Sequence, residues 1–95
     1  MVYSAKVKLY FIRLRKRFPE IDEEIREVLT EHTSPETSIS LRQFVEKYTI
    51  RTGKIFPLHV CAIRSTEFLL SVPFVVGYRS KSGTLYFFYL TSGVH

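Results

Sequence analysis

His32, His59, Cys61 and His95 are the side chains best suited to hold a metal or move a proton near neutral pH. Their spacing forms no CxxC, HxxxH or HExxH pattern, so a zinc site would need dispersed ligands. On a helix of 3.6 residues per turn, His59 and Cys61 would point roughly 160° apart. Cys61 therefore reads as a small buried apolar residue, and His59 as either a surface histidine or a contact to nucleic acid. Glu20, Asp22, Glu23 and Glu24 could in principle serve as metal ligands or general acids. They open a helical segment, however, where the backbone dipole favours negative charge, and read as a solvated face. Gly53, Gly77, Gly83 and Gly93 are scattered and match neither a phosphate loop nor a dinucleotide fingerprint. No serine stands in a nucleophile-elbow context, and Glu67 and His59 are not spaced as a catalytic pair. No catalytic residue, metal ligand or cofactor is assigned, and an enzyme is not expected.

Positive charge interleaved with apolar and aromatic residues is the more informative pattern. Val2 to Phe18 carries Lys6, Lys8, Arg13, Arg15, Lys16 and Arg17 and no acid. Pro19 to Glu46 carries eight acids against Arg26 and Arg42, and Lys47 to His95 carries six bases against Glu67. The net charge of +5 is thus divided between two basic blocks around an acidic middle. A positive face with a polyanion as partner is the expectation. Ninety-five residues, 45% of them hydrophobic, suffice for one domain with a modest core and not for two. No stretch approaches the roughly 18 uninterrupted apolar residues of a membrane span. The basic N-terminus has no small-residue cleavage site after it. With a single cysteine, the expectation is a small cytoplasmic domain.

The elements that would position these residues follow from periodicity. Val7, Tyr10, Phe11, Leu14 and Phe18 lie on one face of a helix over Ala5 to Phe18, with Lys6, Arg13, Lys16 and Arg17 clustered on another. Pro19 separates it from a second helix, in which Ile21, Ile25, Val28 and Leu29 form an apolar stripe. The polar segment His32 to Ser38 leads into a strand of two or three residues. Ser40 and Gln43 then form a capping box, with Ile39 and Phe44 placed as a hydrophobic staple. Leu41, Phe44, Val45 and Tyr48 mark one face of the helix so started, and Gly53 suits its end. Leu58 to Leu70 reads as a further helix with Leu58, Cys61, Ala62, Ser65, Phe68 and Leu69 inward. A strand over Ile55 to Ile63 competes with it. FVVGYRS and TLYFFYL, joined across Lys81-Ser82-Gly83, are the two strands of a hairpin, and residues 91–95 are a tail.

From Pro19 to Leu90 this α+β order resembles a winged helix-turn-helix domain. The residues that carry it are SISLRQFVEKY, the TGKIFP break, LHVCAIRSTEFLL, and the FVVGYRS-KSG-TLYFFYL hairpin. Small archaeal, viral and bacterial regulators are similar in arrangement and add a basic or amphipathic helix at one end for dimerisation. The resemblance implies a double-stranded DNA-binding protein, a transcriptional regulator or an architectural protein. Its recognition helix would be Leu58 to Leu70, lying in the major groove. His59, Ile63, Arg64 and Thr66 would then face DNA, with Lys54 just before them. Arg64 would read guanine and Ile63 a thymine methyl. Tyr78, Arg79 and Lys81 would stand on the wing, and Lys47 and Arg51 would meet phosphates.

Two features point elsewhere. Val60, Ile63 and Leu70 place apolar groups on the side expected to face DNA, which favours a winged-helix protein-interaction module as the alternative, including a small viral or plasmid factor that binds a host protein. On the last strand, either Tyr86 and Phe88 or Phe87 and Tyr89 belong to the core. The other pair either packs under a covering element or stacks on single-stranded bases. The segment 1–18 is surplus to a core over 19–90, yet its stripe of Val7, Tyr10, Phe11, Leu14 and Phe18 needs covering. A homodimer through that stripe is the expectation; the alternative is that the segment folds back on its own chain.

Overall fold

The computed structural model describes residues 5–59 and 61–90; Val60 and the expected tail 91–95, with His95, lie outside them. The chain runs α1 (Ala5–Arg17), α2 (Ile21–His32), β1 (Ile39–Ser40), α3 (Leu41–Thr52), α4 (Ala62–Ser71), β2 (Val75–Arg79) and β3 (Leu85–Tyr89). This is an α+β architecture with one antiparallel sheet in the order β1-β3-β2.

Local chemistry sets most boundaries. Pro19 lacks an amide hydrogen, so α1 ends one residue before Phe18, and the amide of Ile21 donates to the Phe18 carbonyl to start α2. The capping box is formed: Ser40 Oγ accepts from the Gln43 amide, and Gln43 Oε1 accepts from the Ser40 amide at 2.9 Å. Gly53, at φ 72, closes α3 in the left-handed conformation that glycine takes without steric cost. The hairpin pairs Val75 with Tyr89 and Arg79 with Leu85. β1 adds to its far side through Ile39 opposite Phe87 and Ser40 opposite Tyr86.

The last helix differs from the sequence reading. It begins at Ala62, and residues 57–59 are a turn, so Leu58 and His59 stand outside it and neither a helix nor a strand covers 55–59. Leu58 is buried as expected, but from the turn. Its carbonyl accepts from the amide of Cys61 and from the hydroxyl of buried Ser65, bonds that hold the turn against α4. Cys61 is half-buried and extended as the residue before the helix. Ala62, expected inward, is exposed. Leu70, expected outward, packs against the core, and a Cβ on Gly77 would lie 2.9 Å from its Cδ2.

One apolar cluster joins every helix to the sheet. Phe44 and Tyr48 from α3 meet Phe56 edge-on at 5.2 Å each, and Phe87 is fully buried from β3. The α1 stripe belongs to the same cluster. Phe11 and Leu14 are buried, Phe11 meeting Phe68 edge-on at 5.0 Å, and Val7 and Phe18 pack at the margin. The stripe therefore has partners within its own chain. The chain covers four of its five residues itself, and Leu9, Tyr10 and Ile12 are what α1 leaves exposed. Arg15 fixes the docking. Its Nε donates to Asp22 Oδ2 at 2.9 Å, its Nη2 to Ser71 Oγ at 2.9 Å, and its guanidinium lies 4.3 Å from the Phe68 ring centre.

Candidate interaction surface

The sheet has two unlike faces because strand side chains alternate. Phe87 and Tyr89 turn toward the helices, and Tyr86 and Phe88 turn away with Tyr78. Tyr78 stacks on Tyr86 at 5.9 Å and approaches Phe88 at 6.4 Å, and its hydroxyl shares a 2.6 Å hydrogen bond with Ser38 Oγ. These rings cover one another rather than standing open singly.

The segregation of charge along the sequence becomes partial neutralisation in space. The acidic α2 lies between the two basic blocks and takes partners from both: Asp22 from Arg15, Glu24 from Lys54 at 2.7 Å, and Glu31 from Arg51 at 2.7 Å, with Glu27 3.5 Å from Arg51 Nε. The hydrogen bond from Lys54 to Glu24 raises the lysine pKa. Burial, and then the hydrogen bond that the Tyr48 hydroxyl donates to the same carboxylate at 2.6 Å, raises the phenol pKa.

Those pairs engage residues expected to contact nucleic acid. Arg51 and Lys54 face α2, and Arg64 donates to Glu67 of its own helix at 2.6 Å. His59 is exposed in the turn before α4, its Nδ1 3.0 Å from the Phe56 carbonyl. Lys47 is half-buried on α3, beside Glu31 and Ile50. Arg79 Nη1 donates to the Gly83 carbonyl at 2.8 Å and so braces the hairpin turn, at whose tip Lys81 is exposed. Among the described residues, Lys47, Arg79 and Lys81 are the cations of the C-terminal block with no carboxylate in ion-pair range.

Ile63, Thr66 and Arg79 do come together. They line a groove of about 670 Å³ between the start of α3, the outer face of α4 and the β2-β3 hairpin, within the usual size of ligand clefts. Its apolar surface comes from Leu41, Ala62, Ile63 and Leu85, and Arg42 and Arg79 are its cations. Ile63, one of its lining residues, is 68% exposed. Leu41, Arg42 and Leu85 were not among the site residues expected from the sequence. The available signals were the capping box, which puts Leu41 and Arg42 in the first turn of α3, and the hairpin register, which sets Leu85 opposite Arg79. Among the described residues no group of three histidine, cysteine or acidic side chains could hold a metal ion. No helix there is long and apolar enough to cross a membrane.

No protein-family model matches the chain. It is similar to maternal effect protein oskar of Drosophila melanogaster, with 36% identity over 73 residues, 77% of this chain and 11% of that protein. The oskar protein of Drosophila virilis is 34% identical over a stretch of the same extent. The chain thus spans about a tenth of the length of these curated relatives.

Proposed function

We propose that this is a winged-helix protein-interaction module, with α4 and the hairpin wing presenting a groove to a partner protein. The observation that carries the reading is the exposure of Ile63 in the first turn of α4, beside an arginine already held by Glu67. A helix that reads a DNA groove presents mainly polar groups to base edges, with apolar contact confined to thymine methyls. This one presents an isoleucine, with Leu41 and Leu85 beside it. Arg51, Lys54 and Arg64 each have a carboxylate within 2.7 Å. A phosphate approaching any of them meets a neutralised pair and a nearby negative charge. The counterion-release gain that drives duplex binding is correspondingly reduced. The order α2-β1-α3-α4-β2-β3 with its β1-β3-β2 sheet supports the winged-helix assignment. The likeness to 73 residues of a far longer protein supports a unit that is used as a module.

Duplex DNA binding is the competing reading, and Arg79 with Lys81 on the wing is what favours it. Selection of a displayed random peptide library on the wild-type protein, with Ile63→Asp as counter-target, separates the two. The module reading predicts recovered peptides that lose binding to Ile63→Asp. Recovery only of peptides indifferent to that change would overturn it.

A further inference from the structure

The groove has a charge as well as a shape. Arg42, the second residue of α3, stands on its α3 side, and Arg79 on its wing side. The carboxylate that lines it, Glu67, is held by Arg64. Arg42 is exposed and has no carboxylate within ion-pair distance among the described residues, and Arg79 spends one donor on Gly83. A guanidinium carries five donors, so both arginines retain capacity for a carboxylate. Between them the floor is apolar: Leu41, Ala62, Ile63 and Leu85. An occupant that buries large apolar side chains on that floor must set its flanking residues beside two arginines.

We infer that the groove takes an acidic amphipathic segment of a partner protein, large apolar side chains seated on Ile63 and Leu41 and flanking aspartate or glutamate residues paired with Arg42 and Arg79. This rests on the protein-interaction reading and adds the partner's chemistry to it. A basic segment would place like charges against both rims. A neutral one would leave both arginines half-desolvated without a new partner, at a cost that complementary carboxylates avoid. Recognition combines an apolar anchor, which supplies affinity, with charged rims, which set choice of partner and rate of encounter.

The test uses two labelled synthetic peptides of about 14 residues with phenylalanine and leucine at helical i, i+3, i+7 positions. One carries glutamate at the flanking positions and the other lysine. Fluorescence anisotropy is read with the wild-type chain, Arg42→Glu and Ile63→Asp. Arg42 is exposed in the first turn of α3, where an acid suits the helix dipole, so its replacement leaves the fold intact. The glutamate peptide is expected to bind the wild type at least about tenfold more tightly than the lysine peptide. Arg42→Glu should lose about tenfold for the glutamate peptide and gain for the lysine peptide, and Ile63→Asp should lose both. Ile63-dependent binding with equal or reversed charge preference would overturn the acidic-partner inference and leave the module reading standing. Binding of both peptides unaffected by Ile63→Asp, or of neither, would overturn the inference, the first of these taking the module reading with it.

Discussion

Arg64 and Glu67 stand one turn apart on α4, with Nη1 of the arginine 2.6 Å from Oε1 of the glutamate. The side chain with the best geometry for guanine is thereby turned along its own helix, while Ile63 beside it is open to solvent. The pair is part-buried and contributes at most about 1 kcal/mol, as i, i+3 pairs near the surface do. Its importance is to the field over the face. Glu67→Gln is expected to leave thermal stability nearly unchanged. It should strengthen weak duplex binding at low salt and steepen the slope of log affinity against log salt by about one. An unchanged slope would show that Arg64 does not respond to its partner's charge.

α1 is part of the core. Phe11→Ala should cost about 3 kcal/mol in urea unfolding, because the ring is buried against Phe68. Ile12→Ala, one residue on but outward, should stay within about 0.5 kcal/mol. Arg15→Ala should fall between them, at about 1 kcal/mol, since it breaks the contacts to Asp22 and Ser71 at a half-exposed site. Equal and small effects at Phe11 and Ile12 would mean that α1 is not docked.

Stability should fall on the alkaline side. The Tyr48 phenol is raised above its ordinary pKa of 10.0 by burial and by the hydrogen bond to Glu24. The folded state therefore holds that proton after the unfolded chain has released it. The contribution is complete below about pH 10 and is lost as pH rises beyond it. Lys54, raised by the same carboxylate, acts in the same direction. Melting temperatures from about pH 8 to about pH 12 should decline at the upper end, and Tyr48→Phe should flatten the decline without abolishing it. An equally steep decline in Tyr48→Phe would remove the phenol from the account.

The α3 entry offers a local check. Ser40→Ala removes the acceptor for the Gln43 amide and should cost about 1 kcal/mol. A cost near zero would show that Gln43 and water replace it.

What could be read from the sequence was local in origin. The capping box of Ser40 and Gln43 and the hairpin around Gly83 each depend on a few consecutive residues, and both formed where expected. The start of α4 was misplaced because Leu58 and Ser65 fall at helical spacing while Leu58 is buried from a turn, tied to Ser65 through its carbonyl. That Arg51, Lys54 and the α1 stripe have partners within the chain was not legible, because the acids and aromatics that engage them, Glu31, Glu24 and Phe68, lie far away in sequence. The groove was missed for the same reason, since Leu41, Ile63 and Leu85 come from three elements.

The central claim is that the face made by α4 and the β2-β3 hairpin serves a protein partner and not duplex DNA. It is tested most directly by titrating the wild-type chain against a labelled random-sequence duplex of about 20 base pairs, at about 50 mM and then about 200 mM salt. The account predicts only weak binding, far from saturation at micromolar protein at either salt. Submicromolar binding at the lower salt that weakens steeply at the higher one, and is lost in Arg79→Glu combined with Lys81→Glu, would contradict it.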